Sequence, residues 1–525
     1  MRRIELALFG LLSVWLGGCQ AGDTLFCGSS GCEFTQAEWE ALSALGWTSE
    51  VQLKDESNAM VGTPAAIALG HTLYFDGRLS GKATLVDMLD RPTQYARAAK
   101  GELVNISCAT CHVPTRAGAD FSSMAGDVSV GAGLYDVNGE QTVNAAAYDL
   151  AYWNGRTDSL WAQAAAVMES KVSMNGNRLA IAWVVFKHYR DEYTQLFPQY
   201  DFPLTDAALA LLTTGLMPDG TCVLSGGGAC PADVCRSVSL DGGSLCLPRF
   251  PAEGKAGSVA GCQWGSASEP FKDAFDCMAA ADRDVITRVL VNVAKAIAAY
   301  EFTLVSKDSA FDRFVAAGPT SSELTPAARR GAKLFVGKAS CVSCHRTFLF
   351  SDQSFHNIGV PQQGVGVPSV ADCPAGSTCD CTAYTNCLPA GAFDGLKKLK
   401  ASKLRRDSVW SDNRNDKSRS RWDLDPDSSL LGAWRTPSLR DVALTAPYMH
   451  DGLYAQLSDV LWHYNRGGAQ GGYAGQKAVQ LAPLMLTTNE EADLVAFLES
   501  LTGAPLPSDV TDDPCRRSPK PTSCP

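Results

Sequence analysis

The sequence predicts a mainly α-helical chain in which one pattern is used twice. Three observations lead there. Apolar residues recur at helical spacing in several separate segments, whereas strand-like alternation is weak throughout. A Cys-x-x-Cys-His turn occurs at Cys108–His112 and again at Cys341–His345. Each copy follows a short helix-forming segment and is followed by irregular chain and then a closing helix.

Cys-x-x-Cys-His is the signature for covalent haem attachment. The thiols add to the haem vinyl groups, and the adjacent His gives iron an axial nitrogen. Cys108, Cys111, Cys341 and Cys344 are therefore the expected attachment sites, with His112 and His345 as axial ligands. A zinc site would need a second Cys/His pair at matching spacing, and none follows either copy. Two copies in a chain with 7 His make chance a poor explanation. The expected cofactors are two covalently bound c-type haems. The expected architecture is two cytochrome c-like haem domains with two Cys-rich, disulfide-stapled inserts.

The chain opens Met-Arg-Arg and turns apolar from Leu6 to Leu16, a run too short to span a membrane. A basic start and apolar centre are those of a secretory signal. The run ends Leu16-Gly-Gly-Cys19, which is similar to a bacterial lipoprotein cleavage box. Residues 1–18 are then a signal peptide and Cys19 the lipidated first residue of a periplasmic, envelope-anchored protein. An ordinary signal peptide cut nearby is the alternative. Setting aside Cys19 and the four haem thiols, the remaining cysteines fall into even local clusters: Cys27 and Cys32; Cys222, Cys230, Cys235, Cys246, Cys262 and Cys277; Cys373, Cys379, Cys381 and Cys387; Cys515 and Cys524. Even clusters suit local disulfides in an oxidising compartment. The net charge of −11 argues against nucleic acid as a partner and permits steering of a basic redox partner.

In order, 19–60 reads as an N-terminal tether with one short helix, announced by the capping box Thr35-Gln-Ala-Glu38. Residues 61–318 form the first haem domain. Thr63-Pro64 opens its first helix, and Gly-rich chain at 113–150 follows the first motif. Helices are expected from Asp158 to about Met168, from about Arg178 to Leu196, and from Asp282 to Phe302. His188, on the second of these, reads as a packed or surface residue. The Cys-rich insert spans 219–277. Residues 319–505 form the second haem domain, with a helix from Thr325-Pro326 to Phe335 before the second motif. Its insert, 370–421, is Cys-rich and then charged; the basic run from Lys397 to Arg421 reads as a solvated loop. A helix begins at Ser458–Tyr464, and Asn489 to Leu501 closes the domain. Residues 506–525 are a tail pinned by Cys515 and Cys524.

With these segments placed, the chain resembles the dihaem bacterial cytochrome c peroxidase/MauG family. The resemblance rests on Leu73–Ser80 with Ile106–His112, on Tyr152-Trp-Asn-Gly-Arg156, on Gly331–Phe335 through Phe355–Val360, and on Thr436–Gly452. It implies that His112 is the only protein ligand of a peroxide-reactive haem and that His345 holds an electron-storing haem. It also implies that Trp153 lies between the two, and that Asn138 binds Ca²⁺ with the backbone carbonyls of Thr445 and Pro447; oxygen donors of this kind suit a hard cation. Tyr464 stands at the distal-ligand position of the second haem, where the peroxidases place Met and MauG-type enzymes Tyr; Met449 and Met485 are the alternatives. A phenolate there favours oxidised iron, whereas Met favours a high potential. Two departures stand out. No His lies between 113 and 187 to block the first haem, and the family's distal Glu is Ser173 here. The distal Gln is present as Gln163, and Glu169, one turn before Ser173, is a candidate substitute or a surface Glu.

The resemblance implies a peroxide-dependent oxidoreductase acting on hydrogen peroxide. Its electrons come from a small donor (a cytochrome c or cupredoxin) or, MauG-like, from Tyr or Trp side chains of a partner protein. A non-enzymatic dihaem electron carrier or sensor is the alternative from another class.

Overall fold

The protein is described by a computed structural model covering residues 26–28, 31–49, 51–88, 90–120, 129–200, 202–214, 234–240, 243–257, 275–364, 390–416, 424–517, 521 and 524. The proposed signal peptide, Cys19, most of the first insert and the Cys373–Cys387 cluster lie outside these residues.

Helices dominate, and the described strands form three two-stranded ribbons. Two helix crossings organise the molecule, and they use one device. Pro64–Tyr74 crosses Ala280–Glu301, and Pro326–Val336 crosses Thr488–Glu499. At the first crossing Gly70 lies against the Ala296 carbonyl, where a Cβ would sit 1.9 Å from the oxygen. At the second, Gly331 lies against Asp493, with the equivalent distance 2.0 Å. Only a residue without a Cβ lets the backbones approach that closely. Four residues later in each first helix an aromatic meets one on the closing helix: Tyr74 with Tyr300 at 5.0 Å, and Phe335 with Phe497 at 5.1 Å. The repeated sequence pattern is thus a repeated packing. Each crossing sits in its own apolar core.

Element ends follow local chemistry. Pro64 and Pro326 occupy first turns, where a missing N–H costs nothing. Thr35 and Glu38 close the expected capping box on Gln36–Ser43. The expected helix to Leu196 is instead two helices, Arg178–His188 and Arg190–Leu196, broken at Tyr189. The Tyr189 phenol is buried and donates to Asp76 at 2.7 Å, and that anchor takes its backbone out of helical geometry. His188 is exposed, as a surface residue.

Two sequence expectations need correction. Residues 33–58 are not a tether. Phe34, Leu42 and Leu45 are buried in the second unit's core. Further along, Ser57 accepts from the Trp161 indole at 2.9 Å and Asn58 donates to the Lys295 carbonyl at 3.0 Å, both in the first unit. The segment straps the two units together. Nor is the basic run after Lys397 a plain solvated loop. It begins inside a helix, Ala392–Ala401, and Arg406 is 1% exposed, ion-paired to Asp416 and Asp55. Clustered charge hid a buried cation with one counterion, Asp416, in the run itself and the other, Asp55, on the N-terminal segment.

At the C-terminus Cys515 and Cys524 form the expected disulfide. Cys277 is also disulfide-bonded. Among the described residues, no helix is long and apolar enough to cross a membrane.

Candidate haem sites

Both Cys-x-x-Cys-His turns are prepared for attachment. Cys108, Cys111, Cys341 and Cys344 are free thiols. The Nδ1 of His112 lies 3.0 Å from the Gly118 carbonyl, and that of His345 lies 2.8 Å from the Phe350 carbonyl. A carbonyl only accepts, so each Nδ1 carries the proton and each Nε2 is left with its lone pair. This is the tautomer an axial ligand needs, with the ring already oriented.

Cys108, Cys111 and His112 open onto a mainly apolar cavity. Its walls come from the helix Leu160–Glu169, the chain 129–153 and the end of Ala280–Glu301. Gln163, Ser173 and Trp153 all line it. Arg435 lies at its edge, 1% exposed, with its guanidinium 3.5 Å over the Tyr148 ring and 2.5 Å from Glu140, two residues of the wall. Its Nε and Nη1 have no hydrogen-bond partner. A buried cation with two idle donors fits a group bearing carboxylates, as haem does. Thiols, imidazole and cation all fit the cofactor.

Trp153 joins this cavity to the second unit. Its indole Nε1 donates to the Asn138 carbonyl at 2.9 Å, and its own carbonyl accepts from the Arg435 N–H at 2.8 Å. Asn138 reaches across in turn. Its side-chain Nδ2 lies 2.5 Å from the Pro447 carbonyl, and its backbone N–H donates to the His450 carbonyl at 2.6 Å. The Asn138 Oδ1 is buried without a partner. An orphaned amide oxygen beside a carbonyl is the donor chemistry of a calcium site, so these residues fit the cation. Thr445 stands two residues before Pro447 on the same loop.

At the second motif, burial first, and then the charges of Cys341 and Cys344, push the Tyr464 phenol well above its ordinary range. That coupling puts Tyr464 close to the attachment thiols, on the helix Leu457–Asn465. Met485 is 77% exposed, which removes it as a ligand candidate. Met449 is partly buried on the Thr436–Gly452 segment.

The structure separates the two residues named for distal proton chemistry. Gln163 is in the cavity wall. Glu169 is not: its carboxylate pairs with Arg178, Oε2 to Nη2 at 2.5 Å and Oε1 to Nε at 3.0 Å. Glu169 is thus engaged by Arg178 and stands outside the cavity wall that holds Ser173. Ser173 itself donates to Ser170 at 3.1 Å. Sequence reasoning missed a different acid, Glu301, which lines the cavity. Its signal was available: it continues the apolar stripe of Val289, Val293 and Ile297 at steps of four, where a carboxyl is out of place.

Residues 64–214 match the model of the di-haem cytochrome c peroxidase family. The chain is 28% identical over 444 residues to the cytochrome-c peroxidase IdrP1 of Denitromonas iodatirespirans, spanning 84% of this chain and 82% of that protein. It is 32% identical over 214 residues to the methylamine utilization protein MauG of Methylorubrum extorquens, spanning 41% of this chain and 45% of that protein. The fold is similar to the crystal structure of a MauG-like protein associated with microbial copper homeostasis, with a TM-score of 0.52 and 21% identity, covering 90% of this chain and 100% of that one. On these matches and two prepared attachment turns, the chain is similar to the dihaem cytochrome c peroxidases and MauG proteins, through the family model over 64–214 and through relatives named for both.

Proposed function

We propose that the protein reduces hydrogen peroxide at the haem held by Cys108, Cys111 and His112, with electrons relayed through Trp153 from the haem held by Cys341, Cys344 and His345. The observation that carries this is the first cavity. It has Gln163 in its wall beside His112, and no His from 113 to 187 to occupy the position opposite His112. When bound, haem supplies the iron that takes peroxide and exchanges electrons. The chain's own residues do the rest. His112 is oriented through Nδ1, and Gln163 offers a side-chain amide to peroxide. Trp153, hydrogen-bonded at both ends, is held rigidly between the units.

The electron source divides the reading. A peroxidase draws on a small cytochrome or cupredoxin. A MauG-like enzyme oxidises Tyr or Trp side chains on a partner protein. Tyr464 beside the second attachment turn favours the second, because a phenolate ligand stabilises oxidised iron. We further assign Ca²⁺ to Asn138, Thr445 and Pro447. We take 61–318 and 319–505 as the two haem domains, with disulfides stapling the inserts at 219–277 and 370–421. Location in the periplasm, anchored by lipid at Cys19, rests on the leader pattern and the even cysteine clusters; the Cys515–Cys524 disulfide is in keeping with it.

The test is an EPR spectrum of the ferric dihaem protein, repeated after one equivalent of peroxide. A mixed high-spin and low-spin spectrum that collapses on adding peroxide supports the assignment. Two low-spin haems unchanged by peroxide, before and after one-electron reduction, leave an electron carrier instead.

A further inference from the structure

We propose that Glu301 is the proton-exchanging carboxyl of the first-haem cavity, binding a proton when the iron there gains an electron and releasing it when the iron is oxidised. This rests on the reading that the cavity holds that haem.

Glu301 ends the helix Ala280–Glu301 and lines the cavity with Ile297, Cys108 and His112. It is 5% exposed, and its Oε2 is sealed from solvent with no hydrogen-bond partner. Glu169, by contrast, is bound by Arg178. The titratable groups facing Glu301 are Tyr74 from the first helix, Tyr300 on its own helix, and Cys108 from the attachment turn. None of these is a cation. Burial alone holds the Glu301 carboxyl up at about 8. A buried carboxyl with no counterion takes its charge state from whatever charge changes beside it.

The iron changes by one charge. Adding an electron removes positive charge from the cavity and favours neutral Glu301. One electron enters from the donor, one proton enters from water, and an O–H bond forms on the carboxyl. The overall reaction, peroxide plus two electrons and two protons giving two waters, consumes protons in this cavity. Glu301 supplies one of them as the O–O bond breaks, and its own O–H bond breaks as it does so.

The experiment is the midpoint potential of the first haem from pH 6 to 10, by spectroelectrochemistry of the full dihaem protein, for wild type, Glu301→Gln and Glu301→Asp. The wild-type potential should fall as pH rises, with a slope approaching about 59 mV per tenfold change in proton activity for a one-electron couple. Glu301→Gln should flatten that slope, and Glu301→Asp should keep it with a displaced breakpoint. Equal slopes in wild type and Glu301→Gln would overturn the proposal. If Glu301→Gln fails to load haem, an unmoved breakpoint in Glu301→Asp overturns it equally. A wild-type protein with the slope but no reaction with peroxide would sink the peroxidase reading and leave Glu301 standing. The reverse result would sink only Glu301.

Discussion

The indole Nε1 of Trp153 is 2.9 Å from the backbone carbonyl of Asn138, whose side chain lies 2.5 Å from the carbonyl of Pro447. One asparagine therefore sets the position of the Trp153 indole and a contact between the two units. If a cation occupies that contact, Trp153 is tuned by a site it never touches. Asn138→Ala should weaken calcium binding and slow electron equilibration between the haems while leaving both attached. Calorimetric titration with Ca²⁺ and the haem-to-haem rate after a reducing pulse check both parts. Wild-type rates in a variant that no longer binds Ca²⁺ would separate Trp153 from the cation.

Trp153→Phe is the sharper test of the relay. It keeps the ring but removes the N–H, leaving the Asn138 carbonyl without its donor. The loss in stability should be about 1–3 kcal/mol, the usual cost of stranding a buried polar group. Inter-haem transfer should slow by far more than that small structural change explains. Unfolding midpoints and transient absorption, measured on the same preparation, distinguish the two effects.

Tyr464→Met should raise the reduction potential of the second haem and shift the protein towards accepting electrons from a small cytochrome. Axial ligation alone spans about 0.8 V among haem proteins, and Met lies on the high side of phenolate. Potentiometry gives the direction directly. An unchanged potential would mean that Tyr464 is a packed helix residue and that the ligand is elsewhere.

Much of this was legible in the sequence. The two haem turns, the helices that cross and their capped ends follow from local patterns, but the crossings themselves, between helices far apart in sequence, do not. Gly70 and Gly331 could be read as repeated, though not why. What escaped depends on partners distant in sequence. Arg406 looks solvated until Asp55, some 350 residues earlier, is seen against it at 3.4 Å. Glu169 looks available one turn from Ser173 until Arg178 is seen to hold it. Arg435 lies one residue before the block that carries the family resemblance, so its idle donors had no context.

Arg440 and Asp312 show how the strap and the second unit are locked. The guanidinium meets Asp312 at 2.8 and 3.0 Å and donates to the Leu45 carbonyl at 3.2 Å. Burial alone would raise the Asp312 carboxyl, but Arg440 and the Trp47 and Ser309 donors outweigh it and hold it below its ordinary value. A depressed carboxyl contributes stability above its unfolded value and loses it as pH falls. Asp312→Asn should therefore cost about 3–5 kcal/mol at pH 7, typical of breaking a buried pair, and less as pH falls below about 4. Chemical denaturation at pH 7 and at pH 3.5 gives both numbers.

Arg406 should behave in the opposite way when removed. Its backbone N–H donates to the Asp158 carboxylate at 3.0 and 3.2 Å, and its guanidinium faces Asp55 and Asp416. Burial first pushes the Asp158 carboxyl up to about 6, and Arg406 restrains that rise. Arg406→Met takes from Asp55 and Asp416 their ion pair and from Asp158 the cation that restrains it, so the Asp158 value rises further. A raised carboxyl costs nothing while neutral, and its penalty grows as pH rises through its folded value. The variant should lose about 3–5 kcal/mol at pH 7 and recover part of that loss between pH 7 and pH 5, where Asp158 takes a proton. The strap carrying Asp55 should also be cut sooner by protease at pH 7 than at pH 5, after allowing for the enzyme's own pH profile. A loss that is the same at both pH values would mean that Arg406 stabilises through packing of its stem, with the carboxylates satisfied in some other way.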